Sequence, residues 1–357
     1  MAAHALRILA GPTALESLQM HGFDPDAFSV MAGASGSAKW FAIGGLDRAL
    51  ATHFVARRHS PLFVIGSSIG AWRACCHAMP DPLAALHRLE EAYLAQTYDA
   101  RPSAAQVSET SRGILEHVLG PDGASQALRH PAIRLNVVVA RARHLAAVET
   151  HRVQQLGLAV AALGNLVSRK TLGLTFERVI FHDPRGRAPF LDPHILSGET
   201  VPLTRHNLAP AVLASGSVPL VLEGVREIPG APSGTYRDGG IIDYHFDSPL
   251  SGDDGLVLYP HFYPYLVPGW FDKLLPWRRA GRRSLDRTVL LCPSESFVAG
   301  LPGGRIPDRK DFHEFDADER LRRWRIAIAA ARRLGEEFAE LVDTETLPGR
   351  GGPFPGS

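Results

Sequence analysis

The sequence predicts an α/β fold, a three-layer sandwich in which helices flank a mainly parallel central sheet. Short buried-strand patterns alternate along the chain with helical patterns, which is typical of this class. The 357 residues are 45% hydrophobic and 21% charged, as in folded soluble proteins. No linker or internal repeat divides them. We therefore expect one domain over residues 1–346, followed by a disordered, Pro/Gly-rich tail at 347–357.

The predicted strands are runs of apolar and β-branched residues, and the predicted helices have apolar residues at three- and four-residue spacing. The strands are Phe28–Ala32, Leu62–Ile65, Ile133–Val139, Val179–Phe181 and Val289–Cys292. The helices are Ile69–Met79, a segment from Asp81 to about Gln96, and 317–342 at the C-terminal end. Asp81 followed by Pro82 is a typical start for the second of these helices.

Composition and charge exclude several classes of protein. Lys and Arg number 38 against 37 acidic residues, so no global field draws the chain to nucleic acid, and we expect no nucleic-acid partner. No apolar run approaches the length of a membrane span, and the first residues do not resemble a signal peptide. Cys75, Cys76 and Cys292 fit neither a disulfide framework nor a metal site, so we expect buried free thiols, no metal or cofactor, and a cytoplasmic protein.

The clearest chemical motif lies between the second predicted strand and the helix after it. Gly66-Ser67-Ser68-Ile69-Gly70 matches G-x-S-x-G, the pattern of a nucleophile elbow. Such a turn presents the serine hydroxyl at the carboxyl edge of the sheet, and the following helix directs free amides and a positive dipole end towards it. A plain turn with glycine at both ends is the alternative interpretation.

Two further glycine-containing segments accompany the motif. Gly33–Trp40 follows the first predicted strand with small residues whose amides can converge on an anion, as a phosphate cradle or an oxyanion hole. It does not match the P-loop pattern. Tyr236–Gly240 places an aspartate before two glycines, which by itself also indicates a tight turn.

In this order the segments resemble the motifs of the patatin-like phospholipase family, from about residue 28 to residue 245. Gly66–Gly70 matches the family's G-x-S-x-G fully, and Asp238–Gly240 matches its D-G-[GA]. Ala214–Pro219 is similar to its A-S-x-x-x-P segment. Ser35–Trp40 matches G-G-G-x-[RK]-G imperfectly, since serines stand at the first and third glycines and Trp40 at the last.

The resemblance implies a serine-dependent lipid acyl hydrolase of the phospholipase A or esterase type, acting on a lipid or another acyl ester. Ser68 would be the nucleophile and Asp238 the base of a dyad. The oxyanion would be held by backbone amides of the Gly-rich loop. The implied oxyanion-hole residues are Gly36, Ser37 and Ala38, and the implied supporting residues are Gly66, Gly70, Gly239 and Gly240.

Two alternatives stay open at the level of sequence. The first is an α/β-hydrolase esterase in which Ser68 uses a downstream histidine, with His245, His261 and His313 as candidates. The second is a noncatalytic, lipid-binding relative in which the bulky Trp40 ring closes the oxyanion loop.

Residues 256–285 combine seven aromatic side chains with an arginine cluster at 278–283. This composition is typical of a peripheral contact with a membrane interface, and it also suits a lid over an acyl pocket. A proline-broken loop packed on the domain is the other interpretation. Asp243, His245 and Asp247 alternate nearby, and a solvated polar edge is favoured over a metal site for them.

Overall fold

The computed structural model describes residues 4–98, 102–253, 255–279, 281–344 and 351–354. The strands of this part of the chain form one mixed sheet. They are β1 Leu6–Ala10, β2 Phe28–Gly33, β3 Leu62–Ser67, β4 Ile133–Ala142, β5 Phe176–His182, β6 Glu199–Pro202, β7 Val225–Arg226, β8 Thr235–Asp238, β9 Leu256–Pro260, β10 Thr288–Pro293 and β11 Gly351–Pro353.

Helices flank this sheet, and several short 3₁₀ segments connect the elements. The α-helices are α1 Pro12–His21, α2 Gly44–Ala49, α3 Ile69–His77, α4 Pro82–Leu94, α5 Ala104–Leu119, α6 Gly123–Ala127, α7 His151–Val167, α8 Leu208–Ser215, α9 Glu295–Ala299, α10 Asp311–Glu314 and α11 Ala317–Thr344. The 3₁₀ segments that bear on the site are Ser37–Ile43, Arg169–Leu174 and Trp270–Asp272.

The order of the strands in the sheet is β11-β1-β10-β9-β2-β3-β4-β5-β6, and β8 pairs with the second half of β4 and carries β7. The five central strands from β10 to β4 are parallel. Antiparallel pairs occur where β1 joins β10 and where β5 and β8 join β4. The predicted α/β class with a mainly parallel sheet is thereby confirmed.

The register brings the three motif segments to one edge of the sheet. Gly33 at the end of β2 lies opposite Gly66 in β3. On the other side of β3, Gly66 lies opposite Val137 in β4. Strand β8 runs antiparallel to β4 and ends with Asp238 opposite Val139, two residues further along the same strand. The loop after β2, the turn after β3 and the end of β8 are therefore neighbours.

The predicted helices and strands are confirmed, with ends shifted by a few residues. Asp81 caps α4 as expected, because its carboxylate accepts a hydrogen bond from the Ala84 amide at 2.9 Å. Helix α11 covers the predicted 317–342 segment and continues to Thr344, packing Trp324 and Phe338 into the core. Cys75, Cys76 and Cys292 are buried free thiols, as predicted.

The expected disordered tail is wrong for residues 351–353, which form β11. This strand pairs in parallel with β1, with Ile8 opposite Gly351 and Ala10 opposite Pro353. The edge of β1 offers unpaired backbone groups that an extended Gly/Pro segment can use, despite its composition. The rest of 347–357, apart from residue 354, lies outside the described residues. Within the described ranges, no helix is both long enough and apolar enough to cross a bilayer.

Candidate active site

Ser68 occupies a strained turn between β3 and α3. Its backbone has φ 53° and ψ −133°, a conformation that residues with a side chain rarely adopt. Two hydrogen bonds hold it there: the Ser68 amide donates to Ser215 Oγ at 2.9 Å, and the Ser215 hydroxyl donates to the Val138 carbonyl at 2.7 Å. The turn thus has the geometry of a nucleophile elbow, with the hydroxyl at the carboxyl end of β3.

The glycines of the elbow allow it to touch the loop after β2. A Cβ on Gly70 would lie 2.1 Å from the Gly33 carbonyl oxygen, and a Cβ on Gly33 would lie 2.7 Å from the Gly70 oxygen. A Cβ on Gly66 would lie 2.6 Å from the Ala71 nitrogen. Close approach of two backbones is therefore the reason for glycine at these positions.

The Ser68 hydroxyl donates a hydrogen bond to Oδ2 of Asp238 at 2.7 Å, and both side chains are buried. The Gly240 amide donates to the other carboxylate oxygen at 2.7 Å, and the Asp238 amide donates to the Ser217 carbonyl at 3.0 Å. Ser215 and Ser217 belong to the segment Ala214–Pro219. That segment therefore holds the backbones of both Ser68 and Asp238.

Burial raises the pKa of Asp238 to about 6, and the hydrogen bonds from Ser68 and Gly240 offset part of this effect. A carboxylate with a raised pKa is a better proton acceptor than an ordinary aspartate at neutral pH.

If Asp238 acts as the base, kcat/KM for a soluble ester should fall as the pH drops through about 6, where the carboxylate takes up a proton. An ordinary aspartate would sustain activity to about pH 4. The measurement is a kcat/KM profile on p-nitrophenyl butyrate, with far-UV circular dichroism as a check on folding at each pH. A profile that stays flat to pH 4 would contradict the assignment.

The loop after β2 leads into the 3₁₀ segment Ser37–Ile43. The first hydrogen bond of that segment runs from the Lys39 amide to the Gly36 carbonyl at 3.2 Å, so the amides of Gly36, Ser37 and Ala38 precede the helical ladder. Gly36 and Ser37 line the cleft at Ser68, whereas the Ala38 side chain is buried in the core. If Ala38 takes part in binding an oxyanion, it does so through its backbone amide.

Serine replaces glycine in this loop at one position where the backbone resists it. Ser37 has φ 52°, in the left-handed region. Its hydroxyl forms a 2.6 Å hydrogen bond with the hydroxyl of Tyr93, which anchors the side chain. Ser35 has no such strain and bonds to Ser67 Oγ at 2.8 Å. Both serines are thus accommodated.

Trp40 does not obstruct the cleft. Its ring is fully buried and packs against the Phe41 ring, with centroids 4.9 Å apart. The neighbouring Lys39 lines the cleft instead and is ion-paired with Asp308. Although burial opposes it, Lys39 keeps the pKa of Asp308 below its usual value. The tryptophan therefore occupies core space and leaves the loop open.

Sequence reasoning missed the polar contacts that join the three segments. The Ser67 hydroxyl donates to the Asp243 carbonyl at 2.6 Å, and the Ser35 amide donates to the Tyr244 carbonyl at 3.0 Å. Ser67 lies inside the G-x-S-x-G motif, but a pattern that treats it as any residue assigns it no role. Its partner is 176 residues away, so no local signal identifies it.

The histidine candidates supply no hydrogen-bond partner for the Ser68 hydroxyl. All sixteen histidines lie in described parts of the chain, and none is hydrogen-bonded to the Ser68 hydroxyl. Nδ1 of His245 accepts from the Val267 amide at 2.8 Å, and Nδ1 of His261 lies 2.9 Å from the Tyr263 amide nitrogen and 2.8 Å from the Tyr263 carbonyl oxygen. Burial lowers the pKa of both rings, that of His261 to about 3.

The Ser68–Asp238 pair lies in a cleft of about 910 Å³. Helix α7, which no motif in the sequence had indicated, forms one wall, and three segments, 218–220, 241–244 and 263–274, complete the apolar lining. Besides Gly36, Ser37, Ser68 and Gly240, the apolar and neutral lining residues are Gln155, Leu158, Ala159, Ala162, Val218, Pro219, Leu220, Ile241, Tyr244, Tyr263, Tyr265, Val267, Trp270, Phe271 and Leu274. Such a lining suits an acyl chain.

Cations predominate among the charged groups of the cleft. Asp238 and Asp308 are its acids, and the bases are Lys39, Lys273, Arg279, Arg309 and Lys310. The Lys273 ammonium lies 3.9 Å from the centre of the Tyr244 ring, in a cation–π contact. An anionic group on a bound molecule would find compensating charge here.

The structure corrects two expectations from the sequence: the membrane contact over 256–285 and the solvated polar edge at Asp243, His245 and Asp247. Residues 256–260 are β9 and are buried together with Phe262, so the first part of 256–285 is wrong as a membrane contact. The solvated polar edge is also wrong, because Asp243 and His245 are buried. Arg178 holds the Asp243 carboxylate with two hydrogen bonds, at 2.6 and 2.8 Å.

Comparison with known proteins gives the chain a family and a distant structural match. The family model for patatin-like phospholipase matches residues 33–245, more than half of the chain. No curated protein matches it significantly. The crystal structure of VipD from Legionella pneumophila matches with 12% identity and a TM-score of 0.29, over 73% of this chain and 53% of that one. The chain thus spans about half the length of the VipD chain.

Proposed function

The chain belongs to the patatin-like phospholipase family, whose activity is lipid acyl hydrolysis, and we therefore propose that it hydrolyses acyl esters with a Ser68–Asp238 dyad. The observation that supports the dyad is the 2.7 Å hydrogen bond from the Ser68 hydroxyl to the buried Asp238 carboxylate. The substrate class is a lipid or another ester whose acyl chain fits the apolar part of the cleft.

In the first half of the reaction, Ser68 Oγ attacks the ester carbonyl carbon while Asp238 takes the hydroxyl proton. A new C–O bond forms, and the carbonyl oxygen becomes an oxyanion. Gly36 and Ser37 line the cleft, their amides precede the helical ladder, and the N-terminus of α3 lies behind Ser68. Donors of this kind stabilise the developing negative charge. Collapse of the intermediate expels the alcohol, which receives the proton from Asp238.

In the second half, water releases the acyl group. Asp238 accepts a proton from water as its oxygen attacks the acyl-enzyme carbonyl. The C–O bond to Ser68 breaks, Ser68 Oγ recovers the proton, and a carboxylic acid leaves. One carboxylate thus serves both steps, and its position 2.7 Å from Ser68 Oγ supports this double role.

Two observations count against the alternative functions. A Ser-His-Asp esterase needs an imidazole at Ser68, and the hydroxyl is hydrogen-bonded to Asp238 with no histidine partner in the described chain. A noncatalytic relative closed by Trp40 needs that ring in the oxyanion loop, but the ring is packed in the core.

Fluorophosphonate labelling tests the proposal. We expect Ser68 Oγ to attack phosphorus and expel fluoride, so that mass spectrometry finds one adduct, on the peptide that contains Ser68. Ser68→Ala and heat-denatured protein serve as controls and should stay unlabelled. Folded protein that takes up no label, or takes it up on another serine, would contradict the proposed nucleophile.

We further propose that residues 1–346 act as one domain. The Glu337 carboxylate accepts hydrogen bonds from the Ala5 and Leu6 amides at 2.8 and 3.0 Å, so α11 is bound to the first strand. The dyad draws its residues from β3 and β8 of one sheet. A cut between residues 68 and 238 would separate them.

A further inference from the structure

Large hydrophobic side chains are exposed in one region of the molecule. Of the fourteen that are exposed in the described chain, eleven belong to residues 145–174 and 265–277. On α7 they include Leu163, 65% exposed, and Val167, 85% exposed. On the other segment they include Leu274, 89% exposed, and Trp277, 72% exposed. Scattered apolar residues are normal on a protein surface, but such a concentration indicates a binding surface.

Helix α7 has two apolar sides with different surroundings. Leu158 and Ala162 line the cleft. The outer side carries Leu156, Val160, Leu163 and Val167 at three- and four-residue spacing, all exposed to solvent. A helix that lines a substrate cleft with one side thus leaves a continuous apolar stripe on the other.

The two segments adjoin near the C-terminal end of α7. The Arg278 guanidinium donates to the Leu166 carbonyl at 3.0 Å, and the Asn165 side chain donates to Asp272 at 2.8 Å. Leu274 also lines the cleft. The exposed side chains therefore form one surface beside the opening of the cleft. This surface, called the apolar face below, consists of Leu156, Val160, Leu163, Val167, Leu274 and Trp277.

The two segments that carry the apolar face are rich in positive charge. Residues 151–176 and 262–285 contain eight lysines and arginines and one acidic residue, Asp272. Asp272 is buried and ion-paired with Arg169 and Arg278. The whole chain is nearly neutral, so this excess is local. Basic side chains around exposed apolar residues complement a surface of anionic headgroups over hydrocarbon.

We propose that the apolar face docks the enzyme on an anionic lipid surface, with the cleft open towards the lipid. Leu163, Val167, Leu274 and Trp277 insert among the acyl chains, and basic residues such as Arg152 and Lys170 contact headgroup phosphates. Docking brings an acyl ester to the cleft directly from the lipid. This inference rests on the proposed hydrolase function only to explain what docking is for. Binding to lipid itself requires no catalysis.

The first test measures binding without hydrolysis. Ser68→Ala protein is sedimented with vesicles of phosphatidylcholine that contain about one third phosphatidylglycerol, and with vesicles of phosphatidylcholine alone. We expect preferential binding to the anionic vesicles. Adding Leu163→Gln and Val167→Gln should weaken binding about tenfold or more, because two apolar side chains no longer enter the hydrocarbon. Met20→Gln, at a residue 63% exposed on α1, is the matched control and should bind like the parent.

A second variant tests how much the positive charges contribute to vesicle binding. Arg152→Gln with Lys170→Gln should weaken binding to the anionic vesicles about fivefold for each charge removed and should leave binding to neutral vesicles unchanged. Far-UV circular dichroism and thermal melting check that all variants fold. In the enzyme that keeps Ser68, the double substitution Leu163→Gln and Val167→Gln should leave hydrolysis of soluble p-nitrophenyl butyrate at the wild-type rate. Neither of the two residues lines the cleft.

Several outcomes would overturn the proposal. One is a Ser68→Ala protein that binds neither kind of vesicle. Another is undiminished vesicle binding after Leu163→Gln and Val167→Gln. If light scattering shows a dimer that these changes dissociate while vesicle binding persists, the apolar face is a subunit interface. A wild-type protein that hydrolyses no ester but binds anionic vesicles through this face would contradict the proposed function and leave the docking inference intact.

Discussion

Asp238→Asn is expected to reduce ester hydrolysis by about 10³-fold or more, because the amide cannot accept a proton from Ser68. The variant should keep its fold, since the asparagine oxygen can still accept the hydrogen bond from the Gly240 amide. Burial raises the pKa of the aspartate to about 6, so its ionisation opposes folding above that pH by about 3 kcal/mol. The asparagine variant should therefore unfold at a higher denaturant concentration than wild type at pH 8.

The sign of this stability effect follows from the direction of the pKa shift. A carboxyl whose pKa is raised in the folded state stabilises the fold at low pH, and that contribution is lost as the pH rises through about 6. The advantage of Asp238→Asn should thus shrink towards pH 4. Urea unfolding at both pH values measures it, and steady-state hydrolysis of p-nitrophenyl butyrate measures the loss of activity.

Single alanine substitutions at His245, His261 and His313 test the alternative Ser-His-Asp triad in variants that fold. Each should retain hydrolysis within an order of magnitude of wild type, because none of these rings is hydrogen-bonded to Ser68. If one of them abolishes activity while Asp238→Asn retains it, a triad replaces the dyad.

Gly70→Ala should reduce both activity and stability, because its Cβ would lie 2.1 Å from the Gly33 carbonyl oxygen. Neither backbone can keep its place at that distance, so the elbow and the loop that contains Gly36 must separate. A displacement of about 1 Å between a nucleophile and its oxyanion donors costs about 100-fold in rate. Forcing an extra methyl group into a packed site costs about 1–3 kcal/mol of folding free energy.

Gly113→Ala is the matched control for this prediction. Gly113 also lies in a helix, α5, but nothing surrounds the position of its Cβ within 4 Å. Alanine there should stabilise the protein by about 0.5–1 kcal/mol through helix propensity and leave hydrolysis unchanged. Urea unfolding and steady-state kinetics on both variants make the comparison. Wild-type kinetics for Gly70→Ala would show that contact between the two segments is unimportant.

Much of the fold could be predicted because the relevant signals are local. The strand Leu62–Ser67 and the helix after it are marked by an apolar run, a glycine turn and a helical pattern within sixteen residues. Other elements lacked such signals. Strand β1 is five residues long and β11 only three, and β11 exists through its pairing with β1. Short segments whose order depends on a distant partner are not visible in a local pattern.

The candidate site divides in the same way. Ser68 and Asp238 could be singled out because each lies in a short glycine motif, although 170 residues separate them. The roles of Ser67 and Ser215 could not be predicted, because their partners come from other elements. At Trp40 the sequence suggested a role that the structure does not support. The size of the side chain suggested an obstructed oxyanion loop, but the ring points into the core.

The α/β class, the two motifs that carry the proposed dyad and the local excess of arginine can all be read from the sequence, because each depends on residues close together in the chain. What these features contact depends on how the whole chain folds. The fold brings Ser68 to hydrogen-bonding distance of Asp238, turns Trp40 away from the cleft and leaves the outer side of α7 uncovered. Side-chain direction and long-range contact result from packing the whole chain, and no short segment contains that information.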